Sequence, residues 1–145
     1  MTVAIRRARA TDLAELVDLL GQLGYPSTVD QLALRLQRIE QHQDHVLLIS
    51  EGQAGIHGLC HLQRIDLLAS DGYAEVQALV VSAPHRRQGV GQALLQEAAR
   101  QARAMGASRI RLRSGLHREE AHRFYLAQGY EQCRASYAFE RLVEI

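Results

Sequence analysis

The junction between residues 73 and 105 constrains the fold of this chain more than any other stretch. A strand-like run from Tyr73 to Val81 is closed by Pro84, and helical spacing of apolar residues follows from Gly89 to Met105. The loop between them is Arg86-Arg87-Gln88-Gly89-Val90-Gly91-Gln92. The first N–H groups of a helix have no acceptors within that helix, and the two glycines let a ligand approach these N–H groups closely. The helix dipole and two guanidinium groups add positive potential. We therefore predict a phosphate or pyrophosphate site at this loop.

Two common phosphate-binding loops do not fit this pattern. The Walker A loop needs a Lys after its last glycine, whereas all 17 basic residues of this chain are Arg. The dinucleotide-binding fingerprint needs a third glycine at position 94, which is Leu94, and a βαβ unit at the N-terminus. A Gly-x-Gly at a helix start can also be a tight turn without a ligand, and the loop alone leaves that alternative open.

The remaining elements alternate in the manner of a mixed α/β sheet with helices on its faces. Helical spacing predicts helices over Asp12–Leu23, after a cap at Ser27 or Thr28, and over Glu119–Gln128. Strands are predicted over Thr2–Ile5, Val46–Ser50, Ala54–Ile65 and Arg109–Arg113, and the tail from Tyr130 to Val143 can supply one or two more. No linker or repeat interrupts the pattern, so we predict a single domain over residues 1–145.

Charge and hydropathy exclude several classes of function. With 17 basic and 16 acidic residues dispersed along the chain, we expect no nucleic-acid partner. No apolar run reaches the ~20 residues of a membrane span, and no apolar segment follows the arginines near the N-terminus, so we expect no membrane partner and a cytoplasmic location. Cys60 and Cys133 are too few for a disulfide scaffold, and small buried hydrophobes are the expected role of both.

Two blocks resemble the GCN5-related N-acetyltransferases, the GNAT superfamily. Residues Arg86 to Gly91 match its Gln/Arg-x-x-Gly-x-Gly/Ala signature, and Ala121 to Tyr130 resembles its Ala-x-x-Phe-Tyr-x-x-x-Gly-Phe/Tyr block. The resemblance is close from Glu75 to Tyr130, and the N-terminal part agrees in element order. It looks most like small-molecule members such as aminoalkylphosphonate N-acetyltransferases. It implies a V-splayed mixed sheet flanked by helices, the acyl-CoA N-acyltransferase fold, in a bacterial-type enzyme with acetyl-CoA as co-substrate.

The resemblance also implies roles for individual residues. Tyr125 matches the general acid that protonates the departing thiolate, and Glu75 matches a glutamate that often removes the amine proton through water. Ser114 follows the fifth strand, where many members place an Asn against the pantetheine arm. Main-chain N–H groups in the middle of the fourth strand would stabilise the oxyanion, and those of the loop would bind pyrophosphate: Leu79, Val80 and Val81 in the strand, and Arg86, Arg87, Gln88, Gly89, Val90, Gly91 and Gln92 in the loop.

Simpler interpretations stand beside these roles. Tyr125 can be a core aromatic residue, and Glu75 can be a solvated charge at a strand end, in which case solvent deprotonates the amine. Arg118 can touch cofactor phosphate or an acidic substrate, or it can be an ordinary exposed Arg. The pairs His42 and His45, and His57 and His61, have no clustered carboxylate or cysteine, so scattered surface histidines are expected and no metal site.

The predicted function is transfer of acetyl from acetyl-CoA to the primary amine of a small molecule, by direct attack in a ternary complex. The alternatives are a protein or peptide N-acetyltransferase and a non-catalytic acyl-CoA-binding module. A homodimer is possible, because many family members dimerise through C-terminal strands, and four apolar residues could serve here: Tyr137, Phe139, Leu142 and Val143.

Overall fold

A computed structural model describes residues 3–144 of the chain and divides it into two compact units, Met1–Arg113 and Ser114–Ile145. The first unit contains a five-stranded sheet and three helices, and the second contains one helix. The strands are β1 (Ala4–Arg7), β2 (His45–Gly52), β3 (Gly55–Ile65), β4 (Tyr73–Val81) and β5 (Ile110–Leu112), and the helices are α1 (Leu13–Leu23), α2 (Val29–Glu40), α3 (Val90–Ala104) and α4 (Glu119–Ala127).

The sheet follows chain order, β1-β2-β3-β4-β5. The first four strands are antiparallel, and β5 pairs parallel to β4 after the α3 crossover. This arrangement is the predicted mixed sheet. Two helix ends show why the sequence folds locally in this way: the Thr28 hydroxyl caps α2 by accepting from the Gln31 N–H, and Gly24 ends α1 with a left-handed φ of 102°.

The two faces of the sheet bury different helices. Leucines of α1 and α2 pack with Ile49, Leu59 and Val80 in one apolar cluster. By strand alternation, Gly58, Cys60 and Leu62 face the other way. There, a Cβ on Gly58 would lie 2.9 Å from Leu94 of α3, so the missing side chain is what lets α3 pack so closely.

Most predicted elements are confirmed within one or two residues. The N-terminal strand is β1, shifted toward the C-terminus of the predicted segment, and Thr2 lies outside the described residues. One prediction is wrong: residues 130–144 form no strand. Alternation of Tyr137 and Phe139 is typical of a strand, but no neighbouring strand pairs with this segment, and both side chains are exposed. The single domain and the homodimer stay predictions.

Membrane insertion has no candidate segment in the part of the chain that the structure describes. None of the helices there combines the length and the apolar character that crossing a bilayer requires.

Candidate active site

The predicted phosphate loop has a backbone that exposes main-chain donors. Arg87 has a φ of 63° and Gly89 a φ of 82°, and α3 begins at the next residue, Val90. The first full helical turn closes where the Ala93 N–H donates to the Gly89 carbonyl at 3.0 Å. The N–H groups of Val90, Gly91 and Gln92 therefore have no acceptor within the helix, and together with the helix dipole they form a site for an anion.

Side chains tie this loop to the end of β4. Arg86 Nε donates to the Val81 carbonyl at 3.0 Å, and Gln88 Nε2 donates to the Pro84 carbonyl at 3.4 Å. Arg86, Arg87, Gln88 and Gly89 are all exposed. The loop is thus fixed against the strand that precedes it while its surface stays open to a ligand.

The edge of β4 that faces β5 is paired over only part of its length. Pairing with β5 runs from Ala74 opposite Ile110 to Val76 opposite Leu112, whereas β4 continues to Val81. At Gln77 the pairing with β3 skips one residue, which is a β-bulge. This half of the edge, from Gln77 to Val81, is beyond the β5 pairing.

The direction of the main-chain groups along this edge follows from one hydrogen bond. The Ser82 N–H donates to the His57 carbonyl of β3 at 2.8 Å. Since main-chain groups alternate along a strand, Val80 also faces β3, and the N–H groups of Leu79 and Val81 face the opposite edge. The Val81 carbonyl, which accepts from Arg86, lies on that same edge. Leu79 and Val81 are therefore the donors of β4 that face away from β3.

Glu75 lies on the face of β4 that carries α1 and α2, and its carboxylate is engaged. It pairs with Arg113 Nε at 3.3 Å and accepts from Gln77 Nε2 at 3.0 Å, and its side chain is 12% exposed. Gln77 also donates to the Gln63 side chain of β3 at 3.1 Å. Glu75 is thus part of a hydrogen-bonded network and is not the solvated strand-end charge considered above.

Two histidines that sequence reasoning treated as scattered surface residues meet on the same face. His45 Nδ1 and His61 Nε2 lie 2.9 Å apart, and Asp44 Oδ1 lies 3.8 Å from His45 Nε2. The signal that could have found them is the hairpin register, which places Leu47 opposite His61 and so His45 diagonally next to it. The surface interpretation is also wrong for His57, which is 2% exposed and stacks on His85.

The second unit holds the remaining predicted site residues. Tyr125 lies on α4, with its ring centroid 5.5 Å from Phe124 and 6.1 Å from Tyr130. The chain turns at Gly129, where φ is 90°, and the Tyr130 N–H donates to the Tyr125 carbonyl at 3.1 Å. Ser114 has a buried hydroxyl with no hydrogen-bond partner among the described residues. Arg118 is exposed at the start of α4.

The described residues contain neither a reactive cysteine nucleophile nor a group of side chains that could bind a metal ion. Burial raises the pKa of the Cys60 thiol to about 12, so this thiol is protonated at neutral pH and inert as a nucleophile. Cys133 is exposed, and its thiol contacts the Glu131 carbonyl. Over residues 3–144, no three His, Cys, Asp or Glu side chains are grouped in a way that could hold a metal ion.

Comparison with known proteins identifies the class. The model of the Acetyltransferase (GNAT) family matches residues 12–130. The chain belongs to this family and is an N-acetyltransferase. This agrees with a glycine-containing loop at a helix start after a half-paired strand.

One relative supports the same assignment, and two solved structures share the fold. An aminoalkylphosphonate N-acetyltransferase from Salmonella typhimurium is 34% identical over 116 residues, which cover 79% of this chain and 72% of that protein. The crystal structure of a GNAT family acetyltransferase from Staphylococcus aureus subsp. aureus USA300_TCH1516 superposes with a TM-score of 0.81 at 24% identity, covering 97% of this chain and 100% of that one. AAC(6')-Iy, solved with the bisubstrate analogue CoA-S-monomethyl-acetylneamine, superposes with a TM-score of 0.84 at 17% identity, covering 98% and 100%.

Proposed function

We propose that this enzyme transfers acetyl from acetyl-CoA to the primary amine of a small molecule, by direct attack within a ternary complex. The observation that carries the proposal is that the main-chain donors of β4 and of the loop form one continuous series. The edge of β4 that β5 leaves unpaired runs through Leu79 and Val81 directly into the loop whose first-turn N–H groups await an anion. A thioester and a pyrophosphate joined by an amide-containing arm match that sequence of donors.

Each part of acetyl-CoA has a fitting partner among these residues. The pyrophosphate would bind to the N–H groups of Val90, Gly91 and Gln92, with Arg87 adding charge. The amides of the pantetheine arm would pair with the Val81 edge, and the Leu79 N–H would stabilise the thioester oxygen as it becomes negative. The buried and unpartnered Ser114 hydroxyl supports the predicted contact with the arm. Acetyl-CoA therefore supplies the activated acyl group, and the chain supplies its positioning.

Tyr125 is the proposed acid for the departing thiolate. A phenol has an unperturbed pKa of about 10 and is therefore protonated at neutral pH, and its hydroxyl can donate to sulfur. The support is its position in the Phe-Tyr block of the family, on a helix whose C-terminal turn is fixed by Gly129 and Tyr130. Glu75, held by Arg113 and Gln77, is the proposed acceptor-side carboxylate, acting through water or by binding the ammonium form of the amine.

The acceptor that we propose is a small amine carrying an anionic group. The relative named as an aminoalkylphosphonate N-acetyltransferase supports this choice. Two arginines also support it, because Arg111 in β5 and Arg113 directly after it carry positive charge beside Glu75. Arg111 lies over the Tyr73 ring, 4.4 Å from its centroid, and Arg113 pairs with Glu75 while remaining 79% exposed. A phosphonate or carboxylate could pair with the exposed guanidinium while the amine extends toward Leu79.

Release of the CoA thiol, measured with a chromogenic disulfide, tests the proposal. The acceptor panel is 2-aminoethylphosphonate, ethanolamine, spermidine, kanamycin and a lysine-containing peptide, and acetyl-CoA binding is measured separately by calorimetry. We expect turnover highest with 2-aminoethylphosphonate. Turnover of the peptide alone would indicate the protein-acetyltransferase alternative, and binding without turnover of any amine would indicate an acyl-CoA-binding module. Absence of acetyl-CoA binding would refute the whole proposal.

Substitution of Tyr125 by Phe separates chemistry from binding. We expect Tyr125→Phe to lower kcat by about 10²-fold, because a positioned general acid contributes about 10²–10⁴-fold, while calorimetry shows unchanged acetyl-CoA affinity. The matched control is Tyr137→Phe, since Tyr137 lies in the same unit and is 84% exposed. Equal turnover of Tyr125→Phe and the control would remove Tyr125 from the mechanism.

A further inference from the structure

The sheet face that carries α1 and α2 is divided into an apolar half and a polar half. On β2, β3 and β4 the apolar half consists of Ile49, Leu59 and Val80, which pack with the leucines of both helices. Two residues further along β3 the same face becomes polar at His61, and it becomes polar on β2 beyond Leu47 and on β4 beyond Ala78. We call this region the polar half, and its members are His45, His61, Gln63, Glu75 and Gln77.

Within the polar half, His61 is the residue of β3 that lies beside the centre of β4. Its register partner on β4 is Ala78, the residue before Leu79. Antiparallel partners have Cα atoms about 4.5–5.5 Å apart, whereas Glu75 is separated from Leu79 by the bulge and about 13 Å of strand. By Cα position, His61 is thus nearer than Glu75 to Leu79, the residue that carries the proposed oxyanion donor.

The contacts of His45 select one tautomer of His61. Asp44 Oδ1, 3.8 Å from His45 Nε2, favours a proton on that nitrogen. His45 Nδ1 is then a bare acceptor, so the 2.9 Å bond between the rings requires His61 Nε2 to donate. This leaves the lone pair of His61 on Nδ1. Among the described residues Nδ1 has no hydrogen-bond partner, and the side chain is partly exposed.

We propose that His61 is the general base that removes the proton from the attacking amine, and that His45 and Asp44 are positioning residues that hold it in the required tautomer. The inference rests on the proposed acetyl transfer and names a residue of the acceptor side for it. The carboxylate of Glu75 is already bonded to Arg113 and Gln77, so we do not assign it the role of base. Its role is then to orient the ammonium form of the acceptor.

The electrons and protons of the step balance. The acceptor first loses the extra proton of its ammonium form to solvent. The lone pair of the neutral amine then forms a bond to the thioester carbon, and the carbonyl π pair moves to the oxygen beside the Leu79 N–H. His61 Nδ1 takes the proton that the nitrogen can no longer hold. The C–S bond then breaks with its pair on sulfur, which takes a proton from the Tyr125 hydroxyl. His61 returns its proton to solvent, Tyr125 regains one, and the net products are an amide and a free thiol.

The environment keeps the His61 ring neutral and ready to accept. Burial, together with the neighbouring His45, lowers the pKa of His61 to about 4, so its lone pair is free at neutral pH. The charged or titratable groups around the pair are Asp44 and His42 on the β2 side, with the His42 ring centroid 6.4 Å from that of His45, and Glu75 with Arg113 on the β4 side. Arg7 of β1 and Glu40 of α2 line the same cavity as His45. A weak base suffices because the nitrogen becomes strongly acidic as it attacks.

Substitutions at His61 test the proposal with 2-aminoethylphosphonate as acceptor and saturating acetyl-CoA. We expect His61→Asn to lower kcat by about 10²-fold with unchanged acetyl-CoA affinity. His61→Gln provides a second variant if the first is unstable. His42→Asn, a change at an exposed neighbouring histidine, is the matched control and should keep wild-type turnover. His45→Asn should lower kcat less than His61→Asn, because it disturbs the tautomer and leaves the base present.

Two further readouts respond to a base and not to a packing defect. Added imidazole should restore turnover of His61→Ala but not of Tyr125→Phe. The loss in His61→Asn should also shrink with 2,2,2-trifluoroethylamine, whose nitrogen needs little help to lose its proton. Full activity of His61→Asn overturns the role of His61. So does failure of imidazole to rescue His61→Ala together with a loss in His61→Asn that is equal for both amines. If the wild-type enzyme acetylates no amine, the failure lies with the proposed function instead.

Discussion

Replacement of Gly58 by Ala would test how the cofactor loop is held, because this glycine is the point where α3 approaches the sheet. A Cβ at position 58 would lie 2.9 Å from Leu94 Cδ1, 3.1 Å from Val90 Cγ1 and 3.1 Å from the Val80 carbonyl oxygen. Leu94 and Val90 are 0% and 1% exposed, so neither side chain has free space to move into. The added methyl must therefore displace the first turn of α3 or the adjacent part of β4.

The expected cost follows from overpacking. Inserting a methyl group into a filled core costs about 1–3 kcal/mol, and the lower entropy of the unfolded Ala chain offsets about 0.4–1 kcal/mol of that. With the middle of that offset, about 0.7 kcal/mol, the net loss is about 0.3–2.3 kcal/mol. At about 2.1 cal/mol/K of unfolding entropy per residue, a chain of this length loses roughly 3 °C in Tm for each kcal/mol. We expect Gly58→Ala to lower Tm by about 1–7 °C.

Gly21→Ala is the matched control for this experiment. Gly21 is exposed on α1, and nothing lies within 4 Å of the Cβ that the substitution would add. The same chemical change should therefore stabilise the protein by about 0.5–1 kcal/mol through helix propensity. Calorimetric unfolding measures both variants, and acetyl-CoA titration should show weaker binding only for Gly58→Ala. A Gly58→Ala protein as stable as wild type, with undiminished affinity, would refute the close approach of α3 to β3 and β4.

Two further substitutions test the loop and the N-terminal ion pair. Gly89→Ala should weaken acetyl-CoA binding and destabilise the protein by about 1 kcal/mol in denaturant titrations, because φ is 82° at this position. Gly89→Asn should have a smaller effect on both, since Asn tolerates a left-handed backbone. Arg6 makes two 2.8 Å bonds to Asp12 and holds the pKa of that carboxyl below its ordinary value, so the stabilisation is complete above about pH 4 and disappears as pH falls through the lower folded value. Asp12→Asn should therefore have a lower urea midpoint at pH 7, and the gap from wild type should narrow in acid; a constant gap would show that the charge of Asp12 contributes nothing.

The order of helices and strands could be predicted because local residues determine where most of these elements begin and end. The Thr28 cap, the glycines at 24 and 106 and the apolar run of β4 each determine local structure by short-range physics. The prediction of a strand in the tail, residues 130–143, was wrong because a strand there does not depend on short-range physics alone. Alternating apolar residues such as Tyr137 and Phe139 favour a strand only when a neighbouring strand supplies hydrogen bonds, and no pattern in the sequence indicates whether it does.

The candidate site was predictable only where a motif is local. The loop from Arg86 to Gly91 is contiguous, so its glycine spacing is visible in the sequence. The contact between His45 and His61 joins residues on two strands, and it depends on the hairpin register, which the turn at residues 53–54 sets. The engagement of Glu75 by Arg113 depends in the same way on the register between β4 and β5.

The bulge at Gln77 links the two halves of the proposed site. Before it, the Ala74 N–H donates to the Arg109 carbonyl on the β5 side, so uninterrupted alternation would turn the N–H groups of Val76, Ala78 and Val80 to that edge. The extra residue reverses the alternation, which turns Leu79 to the open edge and lets Val80 join the apolar cluster under α1 and α2.

The same reversal places Ala78 on the face that carries Glu75 and His61. A strand without the bulge would present the small Ala78 side chain to α3 and the larger Leu79 side chain to the acceptor face, opposite His61. One inserted residue therefore turns the proposed oxyanion donor to the open edge and also leaves only the small Ala78 side chain opposite His61, on the face where we propose that the amine binds. Because β-bulges bend a strand and increase its twist, Gln77 also accounts for the end of the β5 pairing at Val76, one residue before it.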